Sequence, residues 1–264
     1  MVPAAAAVSE GQEDDSQGDL ALMQTKLLYL EDFSLLENQA SVVELAEESG
    51  KTFVVLDQTI FYPQGGGQPF DTGLMKSESG VFAVNEVRFF EGFVKHFGVF
   101  ESGSFLPGEK VSCSVDSARR LLNSRLHSAG HVADLALSQL KPEWVPGKGF
   151  HFPIGPYVEY SGSVEGVEKE KLAKEIEAKC REIIAQDLES KILFVPKEKL
   201  SHYCRHVPEN LPVGKPTRIV QFGSFSVPCG GTHVKNLGEI KSMAIRKVKA
   251  DGANVRVSYA VEMP

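Results

Sequence analysis

His127-Ser-Ala-Gly-His131 and Cys229-Gly-Gly-Thr-His233 each set two potential metal donors four residues apart, and together they make a His3Cys set. Zinc is a borderline-soft ion that takes imidazole nitrogen and thiolate sulfur in a tetrahedral shell. The two motifs therefore predict one metal-centred active site assembled from distant parts of the chain. A zinc protease of the HExxH type is excluded: its general base is a glutamate directly after the first histidine, where this chain has Ser128. His202, Cys204 and His206 form a second donor-rich run, but their alternate spacing fits no strong zinc pattern.

The elements that must hold these donors can be read from periodicity. Residues 116–140 predict one amphipathic helix, with Leu122, Leu126, Ala129, Ala133, Ala136, Leu137 and Leu140 as its apolar stripe and Asp116 as N-cap. His127 and His131 share a face by the i,i+4 rule, roughly opposite that stripe, so both imidazoles can reach one ion. Ser124 and Asp134 lie on the same side. Gly230 and Gly231 make the second pair a tight turn, suited to a backbone that comes close to a metal or ligand.

Short alternating runs fill the chain from about Leu27 to Val115: 41–45, 51–56, 80–84, 95–100 and 109–115. They predict a small β-barrel. Within it lies Phe61-Tyr-Pro-Gln-Gly-Gly-Gly-Gln-Pro-Phe-Asp-Thr-Gly73. Gly65, Gly66 and Gly67 allow a ligand close to the backbone, and Gln64 and Gln68 offer amides to bind it. The stretch is not a Walker loop, since no Lys-Ser/Thr follows the glycines. After the histidine helix come a predicted hairpin (147–160), a second helix (about 167–188) and strand-like runs at 192–195, 218–227, 240–248 and 255–261. This is an α+β pattern: a barrel, then a two-layer α/β sandwich. The second helix would bury Leu172, Ile176, Cys180, Ile183 and Ile184. His151 in the hairpin is either a polar pocket residue or a structural imidazole.

The composition is that of an ordinary globular protein, with 42% hydrophobic and 24% charged residues among 264, and no apolar run spans a membrane. Cys113, Cys180, Cys204 and Cys229 have no disulfide-framework spacing, which favours a reducing compartment with Cys229 as the thiolate that matters. The net charge is -7, but residues 1–20 carry five acids and no Lys or Arg. The nearly neutral remainder can carry a basic stripe for nucleic acid, and Lys235, Lys241, Arg246, Lys247, Lys249 and Arg256 are its candidates. The acidic first 22 residues read as a disordered tail, with none of the basic residues of a signal or transit peptide. The cytoplasm is the default location.

HxxxH followed about one hundred residues later by CGGTH resembles the editing domain shared by alanyl-tRNA synthetases and the free-standing alanyl-tRNA editing proteins (AlaX). Threonyl-tRNA synthetases carry a related second additional domain. Leu56-Asp-Gln-Thr-Ile-Phe-Tyr-Pro and the following GGGQPxDxG are similar to the alanyl branch, and the closing Arg256-Val-Ser-Tyr also fits. No aminoacylation domain is visible, so the medium-length AlaX type is implied, with a tail (1–22), a barrel (23–115) and an editing domain (116–264). The resemblance implies a zinc-dependent, monomeric deacylase acting on alanine tRNA mischarged with serine, and also with glycine. His127, His131, Cys229 and His233 would hold one zinc ion. Thr59 would recognise the serine hydroxyl and act catalytically with His131 and Cys229. Gly65, Gly66, Gly67 and Gln68 would bind substrate, and Asp134 and Asp71 would support the ligands. Nucleotide and ATP binding follow as family terms. Zinc would polarise the ester carbonyl or activate water, or else organise the pocket. Two rivals remain: an inactive zinc-stabilised RNA-binding module, and an editing domain of the threonyl type, against which the GGGQ barrel argues.

Overall fold

Period-2 alternation between Glu37 and Val115 buries one side of each strand and closes the sheet on itself. The computed structural model describes residues 24–209, 211 and 214–262. The expected acidic tail lies outside them. In chain order the first half contains β1 (Lys26–Leu27), the short helix α1 (Leu28–Glu31), β2 (Glu37–Glu48), β3 (Lys51–Leu56), β4 (Gln58–Thr59), β5 (Gly73–Lys76), β6 (Gly80–Phe90), β7 (Phe93–Gly103) and β8 (Lys110–Val115). Six of these strands close a barrel in the order β2-β3-β7-β6-β5-β8. Phe82 and Val84 of β6 and Val111, Cys113 and Val115 of β8 point inward at every second position, as the pleat requires. β1 and β4 form a separate parallel pair.

The second half opens with α2 (Ser117–Leu140), and the predicted cap is present: the Asp116 side chain accepts from the Arg119 N–H at 3.0 Å. Then follow β9 (Val145–Phe150), β10 (Tyr157–Ser161), α3 (Lys169–Ala185), β11 (Ser190–Val195), β12 (Thr217–Phe222), β13 (Phe225–Pro228), β14 (Met243–Asp251) and β15 (Asn254–Val261). A four-stranded sheet, β14-β15-β10-β9, is covered by the helices. Leu126, Ala133 and Leu137 of α2 and Leu172, Ile176 and Cys180 of α3 pack with Val255, Val257 and Tyr259 of β15 into one core. The expected sandwich is thus present, with a smaller sheet, β11-β12-β13, beside it.

One expectation is corrected. The run 218–227 is not one strand but the β12–β13 hairpin, turned at Gly223 (φ +59°), which delivers Cys229 immediately after β13. The histidine face of α2 is buried as well: every residue from Asn123 to Ala133 is buried, with residues of the barrel such as Gln68 and Asp71 reaching this side. Arg120 fastens this junction. Its Nε and Nη2 donate to Asp71, 2.5 Å at the closest, and its remaining N–H groups meet the carbonyls of Phe33, Leu35 and Ile60. Among the described residues, no helix is long and apolar enough to cross a membrane.

Candidate metal centre and active site

The i,i+4 histidines of α2 and the turn after β13 meet as the spacing predicts. The donor atoms of His127, His131, Cys229 and His233 all lie within 4.8 Å of one another. Cys229 Sγ is 3.4 Å from His127 Nε2 and 3.3 Å from His233 Nε2. Bonds of about 2.0–2.3 Å in a tetrahedral shell put ligand atoms roughly 3.3–3.8 Å apart, and the two Cys229–histidine separations fall in that range. Gly231 permits the approach, since a Cβ there would overlap the His127 ring.

Each histidine is turned toward the centre by a partner on its other nitrogen. The Thr232 N–H donates to Gln68 Oε1 at 3.0 Å, which identifies that atom as the oxygen. His127 Nδ1, 2.8 Å from the same oxygen, must therefore carry its hydrogen and leave Nε2 bare. Asp134 Oδ2 accepts from His131 Nδ1 at 3.2 Å, and the Ser128 hydroxyl engages His233 Nδ1 at 3.1 Å. The Tyr160 hydroxyl in turn donates to Asp134 at 2.5 Å. Such partners fix tautomer and ring orientation at metal sites. His131 Nε2 is buried with no hydrogen-bond partner, the orphan expected of a metal ligand. The donor set and this orphan fit a zinc ion.

The electrostatics agree. Burial, then the neighbouring imidazole and Arg218 charges, hold His127 and His233 well below the usual histidine range. Burial opposes charge on His131 too, but Asp134 and Cys229 raise it to about 10. Burial would raise the Cys229 thiol, yet His131 and Arg218 bring it below the ordinary cysteine value. His131 and Arg218 thus both draw Cys229 toward the thiolate, the form that binds a metal.

The centre opens on a cavity of about 640 Å³ between barrel and sandwich, lined by Tyr62, Gly66, Gly67, Lys148, Gly149, His151 and the Cys229 turn among others. Gly66 and Gly67 are on this wall as expected. Gly65 is not among the lining residues; its carbonyl accepts from the Tyr62 hydroxyl at 2.9 Å. Gln68 is fully buried, and both its amide atoms are engaged by His127 and Thr232, so it orients a ligand where the sequence suggested a substrate contact. Asp71 serves Arg120 and not the metal ligands.

Thr59 is fully buried inside the barrel and is not among the residues lining the cavity. Its oxygen accepts from the Phe61 N–H at 3.0 Å and lies 2.8 Å from His96 Nε2. His96 Nδ1 faces the Val54 carbonyl at 2.9 Å, so Nδ1 carries the hydrogen and Thr59 donates to Nε2. His202 and His206 are exposed while Cys204 is buried in a small apolar cluster, so that run forms no donor group. The basic stripe is divided. Lys247, Lys249 and Arg256 share the outer face of the sandwich sheet, where Arg256 pairs with Glu159 and Asp251. Lys241 and Arg246 line a groove beside Arg181 of α3. Sequence reasoning missed Arg218, which donates to the Leu30 and Cys229 carbonyls and so ties α1 to the metal turn. A lone arginine in a strand carries no signal of that kind.

Residues 217–256 match the family model of the threonyl and alanyl tRNA synthetase second additional domain, and residues 8–119 that of the class II (A) tRNA synthetases. The chain is 33% identical over 244 residues to the alanyl-tRNA editing protein AlaX-M of Methanosarcina barkeri, covering 89% of this chain and 98% of that one. A second AlaX-M, from Saccharolobus solfataricus, is 33% identical over 249 residues, covering 90% and 99%. The alanine–tRNA ligase of Clostridioides difficile is 33% identical over 231 residues, which cover 83% of this chain but 25% of the ligase. These likenesses bring tRNA editing with them and give no support to ATP binding. Two AlaX-M proteins matched over almost their entire length, together with the second additional domain around the Cys229 turn, establish that the chain belongs to the AlaX family of alanyl-tRNA editing proteins.

Proposed function

We propose that this protein is a zinc-dependent aminoacyl-tRNA deacylase that acts in trans on alanine tRNA mischarged with serine, and with glycine, as a monomer in the cytoplasm. The observation that carries the reading is the His3Cys set converging at a cavity wide enough for an aminoacylated nucleoside. The need for such an enzyme is physical. A pocket sized for alanine rejects glycine poorly, because it lacks only a methyl, and serine poorly, because it only adds a hydroxyl. A second sieve acting on the product restores the discrimination.

In the reaction, water adds to the ester carbonyl carbon, the bond from that carbon to the ribose oxygen breaks, and the ribose hydroxyl leaves with a proton. Bound zinc would supply Lewis-acid polarisation and a lowered pKa for water. His127, His131, Cys229 and His233 would hold it, with Gln68, Asp134 and Ser128 fixing the imidazoles. Exposed Lys148 on the cavity wall provides a cation for the RNA backbone.

Deacylation of seryl-charged alanine tRNA, with alanyl-charged tRNA as control, tests the proposal. The wild type is expected to hydrolyse the seryl ester selectively, and Cys229→Ala to lose at least about 100-fold while remaining folded, since even outer partners of metal ligands cost up to about that much. A folded, zinc-loaded wild type that leaves the seryl ester intact would refute the enzyme reading in favour of an RNA-binding module.

A further inference from the structure

His151, just beyond β9, is 3% exposed, lines the metal cavity, and is not one of the four converging donors. Its ring stacks on His127 at 4.4 Å and 21°. A chain of hydrogen bonds fixes which nitrogen carries its hydrogen. The Tyr259 hydroxyl donates to the Leu126 carbonyl at 2.8 Å, and a carbonyl can only accept. The same hydroxyl oxygen is 2.6 Å from His151 Nδ1, so Nδ1 is the donor there. A neutral imidazole with its hydrogen on Nδ1 has a bare lone pair on Nε2.

Two glycines let the backbone come close to this ring on the cavity wall. A Cβ at Gly149, which lines the cavity, would overlap Nε2, and a Cβ at Gly130 of α2 would overlap the ring at Cε1. The His151 N–H donates to the Gly67 carbonyl at 2.8 Å, so the barrel loop, the histidine helix and β9 all meet around this one ring.

We propose that His151 is a specificity-determining residue that touches the substrate, its Nε2 accepting a hydrogen bond from a donor on the aminoacyl group. Such a group carries an α-ammonium and, in a seryl ester, a side-chain hydroxyl; a glycyl ester has only the first. The inference rests on the deacylase reading. Tyr259 is the positioning residue, because its hydroxyl holds the hydrogen on Nδ1.

The test is kcat/KM on seryl- and glycyl-charged alanine tRNA for wild type, His151→Phe and Tyr259→Phe, with metal content measured on each. A wild type that cleaves neither ester refutes the deacylase reading, whatever His151 does. With an active wild type, His151→Phe is expected to retain metal and lose about tenfold or more, the effect of leaving a substrate donor unpaired. Loss on both esters identifies the ammonium as the donor, and loss confined to the seryl ester identifies the hydroxyl. Tyr259→Phe keeps the imidazole but frees its tautomer, and is expected to lose about threefold with the same ester pattern. Unchanged kcat/KM in a metal-loaded His151→Phe overturns the proposal. Should His151→Phe lose its metal, Tyr259→Phe decides: unchanged activity on both esters overturns the proposal, and a loss with metal retained supports it.

Discussion

Two buried polar constellations join the barrel to helix α2, and they are finished differently. At Arg120 and Asp71 every guanidinium donor has an acceptor, and Asp71 also accepts from the Tyr62 N–H at 2.7 Å. Two turns along the same helix, His127 and His131 bring imidazoles to Cys229 and His233 with each Nδ1 satisfied and the Nε2 atoms turned inward, that of His131 without any partner. A closed network fixes a fold, because removing one member strands a buried charge. A network left open at one converging point costs stability unless something fills it, and that marks a binding centre.

The comparison can be broken from either side. Arg120→Ala should give the largest effect, a loss of about 3–5 kcal/mol in urea unfolding, because Asp71 is left buried and unpaired. The paired change Arg120→Met with Asp71→Leu should recover most of it; failure to recover would mean that the carbonyl bonds, and not the ion pair, hold the junction.

The Thr59–His96 pair is a second closed network and should show in the pH dependence of stability. Burial lowers His96 from 6.5 to about 4, so the unfolded state binds the proton first. Stability from this group is therefore full above about pH 6.5 and is lost as pH falls toward 4, by roughly 3 kcal/mol in all. His96→Gln should flatten that part of the profile, and an unchanged slope would assign the acid sensitivity to other groups.

Gln68→Ala sharpens the contrast at the open network. It should weaken zinc affinity by about 10–100-fold in a competition titration, while unfolding of the metal-free protein changes less than with Arg120→Ala. Equal stability losses would erase the distinction between the two networks. Thr59→Val should have the smallest effect, about 1–2 kcal/mol from a broken buried hydrogen bond. Measuring seryl against alanyl hydrolysis in that variant adds a second readout. A fall in discrimination would show that the barrel opens onto the cavity during the reaction, and unchanged discrimination would assign the hydroxyl to structure.

The convergence of the four candidate donors was legible because their geometry is local. His127 and His131 share a face whenever 116–140 is helical, and Gly230 and Gly231 permit only a turn. The barrel was legible for the same reason, since period-2 alternation selects strands and their inward faces. His202, Cys204 and His206 looked equally rich in donors, but burying Cys204 against Leu200 and Ile219 pulled it away from two exposed histidines. Gln68 and His127 are 59 residues apart, Asp71 and Arg120 49, and His151 and Tyr259 108. No periodicity reaches across such separations. The sequence by itself determined the donors, the helix that carries two of them and the turn that carries the others. Only the tertiary structure decided which nitrogens carry hydrogen, which glutamine atom faces a ligand, and which histidine is left to meet a substrate, because those depend on partners that folding alone brings within hydrogen-bond distance.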